Sequence, residues 1–345
     1  MLNKAVYMTS LKNMEAREVP VPEIGDEQVL VKLDYVGICG SDVHYYEHGK
    51  IGDFVVDGDF ILGHECAGTV VAAGKAVKRL SVGDRVALEP GVTCGQCEYC
   101  KGGKYNLCPD VKFLATPPYD GCLVNYIAYP ENMAFKLPDN VSSAEGALVE
   151  PLAVGLHAGS VGEIKLGDTV VVFGSGCIGL MSLLAAKAYG ATQVIVVDVI
   201  AKRLELALEL GASAVINAKQ EDVRARIAEL TGGAGVDKVI ETAGSIPTLQ
   251  LAPYVIKRGG TIVLVGFPPK DIVEFDFMQI LMKEAQIKSI FRYRNLYPAA
   301  IGAIADGKID VKRMITHEFP FEESKQAFDY VIENKSDVVK AMIKM

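Results

Sequence analysis

A buried-type run from Thr169 to Phe173 leads directly into Gly174-Ser175-Gly176-Cys177-Ile178-Gly179 and then into an amphipathic stretch ending near Tyr189. With 34 glycines in the chain, a bare G-x-G-x-x-G spacing constrains little. Between a strand and a helix it constrains a great deal, because the glycines allow a tight turn and bring a pyrophosphate close to the helix N-terminus. A second strand, Gln193 to Val197, ends at Asp198, 19 residues beyond Gly179, where an acid accepts ribose hydroxyls. The carboxylate repels a 2′-phosphate, so NAD is expected rather than NADP, although the nearby Arg203 favours the phosphate. Asp198 also reads as an N-cap for the helix that follows.

The same rhythm continues through a helix at Ala201 to Leu210 and strands at Lys238 to Glu241 and Thr261 to Val265. Apolar strands alternating with helices predict βαβ units and a parallel sheet buried on both faces. A chain of 345 residues exceeds what one core usually organises. The residues before about 154 read as short strands, such as Gln28 to Tyr35 and Ala67 to Ala73, with a further strand entered through the Gly83-Asp84-Arg85-Val86 turn and little helix signal. A helix at Glu322 to Glu333 and a closing strand at Val339 to Ile343 are expected to return to this β-rich part. The expected organisation is therefore α/β, with a β-rich domain at 1–154, a doubly wound parallel-sheet domain at 155–290, and a returning segment at 291–345.

Cys94, Cys97, Cys100 and Cys108 stand close together in a lobe spanning 91–109. Four thiolates at this spacing close a tetrahedron around zinc with no position left open, which describes a structural site. Cys108-Pro109 also suggests an iron–sulfur cluster, but the seven residues before the last cysteine depart from the ferredoxin spacing. A second donor set is Cys39, His64 and Glu65, each next to glycine or one residue from it. Three protein ligands leave a fourth position open for chemistry. Glu150, in Val149-Glu150-Pro151, either ligates that zinc or holds its water.

The net charge of −8 argues against nucleic acid or an anionic membrane surface as partner, since both require a basic face. Met1 to Pro20 lacks the apolar core of a signal peptide, and no apolar run approaches the ~20 residues that span a bilayer. A cytoplasmic protein with a small-molecule partner is expected, its eight cysteines serving as ligands and buried thiols.

Gly63-His64-Glu65-x2-Gly68-x5-Gly74-x2-Val77, the four-cysteine lobe and the glycine fingerprint follow one another in the order of the zinc-containing medium-chain alcohol dehydrogenases, which the chain resembles along nearly its whole length. Within that family it is most similar to the sorbitol and xylitol dehydrogenases, of L-iditol 2-dehydrogenase or D-xylulose reductase type. The resemblance is carried by Cys39-Gly-Ser-Asp-Val-His-Tyr45, Ala115-Thr-Pro-Pro, Val149-Glu150-Pro151-Leu-Ala-Val-Gly155 and Phe291-Arg292-Tyr293.

It implies a GroES-like catalytic domain, a Rossmann domain, an active site in the cleft between them, a homotetramer, and NAD-linked interconversion of polyol and ketose. One catalytic and one structural zinc per chain are implied. Glutamate at position 150, where many alcohol dehydrogenases have cysteine, points to the polyol branch. In this scheme zinc acts as a Lewis acid on a substrate hydroxyl and NAD takes the hydride. Glu150 receives the proton through water, or Ser41 and His44 relay it outward. Tyr45, Thr116, Glu150, Arg292 and Tyr293 supply polar contacts to substrate hydroxyls, with Phe113 as a wall. Gly174, Gly176, Cys177, Ile178, Gly179, Asp198, Arg203, Val265, Gly266, Phe291 and Arg292 are the expected cofactor contacts. Threonine, butanediol and other secondary-alcohol dehydrogenases of the same family are the alternative reading.

Overall fold

The computed structural model describes residues 2–345, which fold as two units. The first comprises the chain up to Glu150 together with Tyr297–Met345, and the second is Pro151–Leu296. These boundaries lie a few residues from the 154/155 and 290/291 divisions expected from sequence. Tyr297 belongs with the first unit because its buried hydroxyl donates to the Leu88 carbonyl at 2.9 Å, and its ring packs on Phe135.

The first unit is built on a seven-stranded sheet. Its strands run in the order Ala134–Lys136, Arg85–Leu88, Glu65–Ala73, Gln28–Gly37, Lys340–Lys344 and Ile315–Pro320, with Tyr126–Pro130 also pairing to Gln28–Gly37. Val29, Val31, Leu33, Val36, Val70, Val86, Leu88 and Ile343 are buried in its core. The returning strand Lys340–Lys344 lies antiparallel to Gln28–Gly37, placing Met342 opposite Gly37, and Gly37 in turn pairs with Glu65.

The low helix content expected here needs one correction, for a nine-residue helix, Gly40–His48, crosses the first unit. Asp42 Oδ2 accepts the Cys39 amide at its start. Gly49, at φ 72°, ends it by donating to the Tyr45 carbonyl, a left-handed turn that glycine adopts without strain. Its buried face contains Asp42 as well as Val43, Tyr45 and Tyr46. An acid on the inner face blurs the apolar stripe by which a helix is read from sequence.

The second unit has a six-stranded, all-parallel sheet in the order Ala214–Asn217, Gln193–Asp198, Thr169–Phe173, Val236–Glu241, Ile256–Leu264 and Gln286–Ser289. In chain order this is 3-2-1-4-5-6, the Rossmann arrangement, with its switch point between Thr169–Phe173 and Val236–Glu241. The first and last strands in the spatial order, Ala214–Asn217 and Gln286–Ser289, are additional to those read from sequence. Among the described residues, no helix is long and apolar enough to cross a membrane.

Candidate active site

Cys39, His64 and Glu65 converge in the first unit, with one donor atom from each lying within 4.8 Å of the others. Local structure explains the convergence. Cys39 sits where the chain turns from the sheet into the Gly40–His48 helix, and His64 and Glu65 stand at the start of the neighbouring strand. Gly63 makes the turn before them at φ 93°. A side chain at Gly37 would overlap the Glu65 carboxylate, so glycine at that pairing position gives the carboxylate its room.

Asp42, fully buried, was not among the residues expected from sequence. Its Oδ1 accepts the Gly63 amide at 3.0 Å and lies 3.4 Å from His64 Nδ1. That contact aims the opposite ring nitrogen of His64 away from Asp42, as a carboxylate does behind a metal-bound histidine. Burial opposes the Asp42 charge, but His64 and the Gly63 and Cys39 amides outweigh it and lower its pKa. Glu65 is held through both oxygens by Lys340 Nζ, at 2.7 and 2.6 Å. A thiolate, an imidazole and a carboxylate within this radius suit zinc.

Glu150 is buried at the beginning of the Val149–Val161 helix and lies outside the three-donor cluster. Ser41 is half-buried and His44 exposed on the helix that follows Cys39. The His44 and His48 rings are 4.6 Å apart, and burial followed by the His48 charge lowers the pKa of His44. Phe113 packs against His64, with ring centroids 5.8 Å apart, while Thr116 is half-buried in the following loop. Tyr45 is 3% exposed, and its ring packs edge-on against Phe60 within the core.

The four lobe cysteines also converge, with Cys94 Sγ 4.0 Å from Cys100 Sγ and 3.5 Å from Cys108 Sγ. The Cys97 amide donates to Cys94, and the Cys100 amide to Cys97. The Gln96 and Cys97 amides pull the Cys94 thiol down to about 7, which favours the thiolate a metal requires. The lobe is tied to the sheet by Tyr105, whose hydroxyl donates to Glu89 Oε1 at 2.6 Å.

In the second unit, Gly174 turns at φ 93°, and a side chain at Gly179 would overlap the Gly174 carbonyl. Asp198 terminates its strand as expected, with Oδ2 accepting the Ser175 amide and Oδ1 the Val199 and Ile200 amides. It therefore braces the glycine turn, but it does not cap the Ala201–Glu209 helix as expected: Ile200 stands at the N-cap, and the Asp198 carboxylate is taken up by the loop amides before it. Arg203 reaches toward Gly176, and burial lowers its pKa against the opposing charge of Asp198. The Val265 and Gly266 amides donate to the Glu241 carbonyl, beside the same end of the sheet. Arg292, at φ 58°, stacks over Phe291, and Tyr293 is buried.

Residues 25–139 match the alcohol dehydrogenase GroES-like domain, and residues 177–306 the zinc-binding dehydrogenase domain. The chain belongs to the zinc-containing alcohol dehydrogenase family. Similar family members include the sorbitol dehydrogenase of Bacillus subtilis, 44% identical over 99% of this chain and 96% of that protein. A probable D-xylulose reductase A of Aspergillus clavatus is 42% identical, with the same coverage of each chain. A crystal structure of an Escherichia coli oxidoreductase/dehydrogenase of unknown specificity superposes with a TM-score of 0.96 at 47% identity, covering 100% of this chain and 99% of that one.

Proposed function

We propose that this chain is a zinc-dependent, NAD-linked dehydrogenase that interconverts a sorbitol- or xylitol-type polyol and its ketose. The observation that carries the reading is the convergence of Cys39, His64 and Glu65. Full-length similarity to a sorbitol dehydrogenase and a xylulose reductase supports the substrate class. Bound zinc would supply Lewis acidity toward a substrate hydroxyl, and bound NAD would accept hydride.

The chain's own residues divide the remaining work. Asp42 orients His64, and Glu65 contributes a weaker donor than a thiolate would, preserving the electrophilicity of the centre. Glu150 takes the hydroxyl proton, and Ser41 with His44 passes it outward. The lowered pKa of His44 leaves it neutral and able to accept near pH 7. Phe113, Thr116 and Tyr45 are the first unit's candidates for substrate contact, and Arg292 and Tyr293 are those of the second unit. The glycine turn, Asp198, Arg203, Val265, Gly266 and Phe291 hold NAD. Cys94, Cys97, Cys100 and Cys108 hold the structural zinc.

A homotetramer in the cytoplasm belongs to the same reading. Eight free cysteines fit a reducing compartment. Self-association is supported by the outer strand Gln286–Ser289 and by exposed Phe267, Ile272, Phe277, Met278, Leu281 and Met282, a concentration of apolar surface that folded monomers rarely leave bare. The test is NADH formation by zinc-loaded protein with tetritols, pentitols, hexitols, threonine, butanediol and simple alcohols. Turnover restricted to polyols is expected, and activity only on threonine, butanediol or a simple alcohol would reject the substrate assignment.

A further inference from the structure

Lys340 lies in the returning strand, 275 residues from Glu65 in sequence, yet gives both Glu65 oxygens short bonds at 2.7 and 2.6 Å. The two side chains are 3% and 1% exposed. A further bond from Lys340 Nζ reaches the Ile38 carbonyl at 3.0 Å, immediately before Cys39. The Ile38 amide donates to the Ala341 carbonyl at 2.9 Å. One strand therefore grips both the carboxylate donor and the backbone that presents the thiol.

We propose that Lys340 is a positioning residue of the metal centre, a fixed cation that shares Glu65 with the ion and balances its charge when the ion leaves. The inference rests on Glu65 being a zinc ligand. A buried carboxylate stripped of its partner is strongly destabilising, so Lys340 lets the protein remain folded without metal at this centre. Lysine and zinc also compete for the same oxygens, so Lys340 weakens zinc binding and keeps the carboxylate from donating its full charge.

Lys340→Met should reverse both effects. In competition with a chromophoric chelator, zinc at this centre should be held at least about tenfold more tightly, corresponding to one decade in the binding constant. The four-cysteine lobe provides an internal reference. The difference in Tm between zinc-loaded and chelator-treated protein should widen by about 3 °C for each decade gained in zinc affinity, chiefly through loss in the metal-free form. Lys340→Arg, which retains the charge, should behave as the parent.

An equal fall in Tm with and without zinc, at unchanged zinc affinity, would show a merely structural strut and overturn the proposal. Failure of Lys340→Met to fold in excess zinc would overturn it equally, because zinc should then supply the missing charge. Cys39→Ser separates this from the ligand assignment. If that variant still binds two zinc ions, the three-donor reading itself fails; if it binds one, the Lys340 result stands on its own.

Discussion

Glu89 offers a sharp test of the electrostatics beneath the cysteine lobe. It is 3% exposed, and burial pushes its pKa from 4.5 up to about 7, against the opposing effect of the Tyr105 hydrogen bond. Between those values the unfolded chain has released the proton while the folded chain retains it. Stability from this group is thus fully present below pH 4.5 and is lost as pH rises through about 7. A shift of about 2.5 units at 1.36 kcal/mol each gives a loss of about 3 kcal/mol. Glu89→Gln removes the titration and keeps an oxygen that accepts from Tyr105. The variant should match the parent near pH 4.5 and exceed its stability by about 2–3 kcal/mol at pH 8.5. With no Trp in the chain, urea unfolding is best followed by circular dichroism, with both proteins fully loaded with zinc. A parent–variant difference that is the same at both pH values would refute the argument, and so would a variant less stable at pH 8.5.

Glu150→Ala should reduce turnover by about 10² or more while NAD affinity survives; near-parental turnover would remove Glu150 from proton transfer. Asp198→Ala should erode the NAD over NADP preference by roughly tenfold or more, read from the ratio of kcat/KM values, and an unchanged ratio would place the ribose contact elsewhere. Cys100→Ser should lose one zinc per chain and lower Tm more than it lowers turnover by the folded enzyme. Retention of both ions would exclude the lobe as a zinc site.

The nucleotide unit was readable because each element announces itself locally. Thr169–Phe173 is a short apolar strand, the glycines follow at fixed spacing, and Asp198 ends the next strand. The edge strand Gln286–Ser289 gave no such signal, since most of its side chains are exposed. In the first unit the candidate metal donors were legible as residue types with glycine neighbours, but the residues packed behind them were not. The part played by Asp42 depends on a helix with a buried acid, and that of Lys340 on an ion pair spanning 275 positions. Tyr45 carries a motif that suggests a substrate contact, and its ring packs against Phe60, a core contact that its place in the sequence does not announce.

The returning strand also bears on the order in which the molecule comes into being. Glu65 leaves the ribosome early, but the cation that pairs with it does not emerge until Lys340 has been translated, long after the nucleotide unit. Until then Glu65 can be buried only without the cation that pairs with it in the folded protein. A product truncated before that strand would lack both a sheet neighbour for Gln28–Gly37 and the counter-charge for Glu65, so the surroundings of the three donors are complete only when nearly the whole chain has been made.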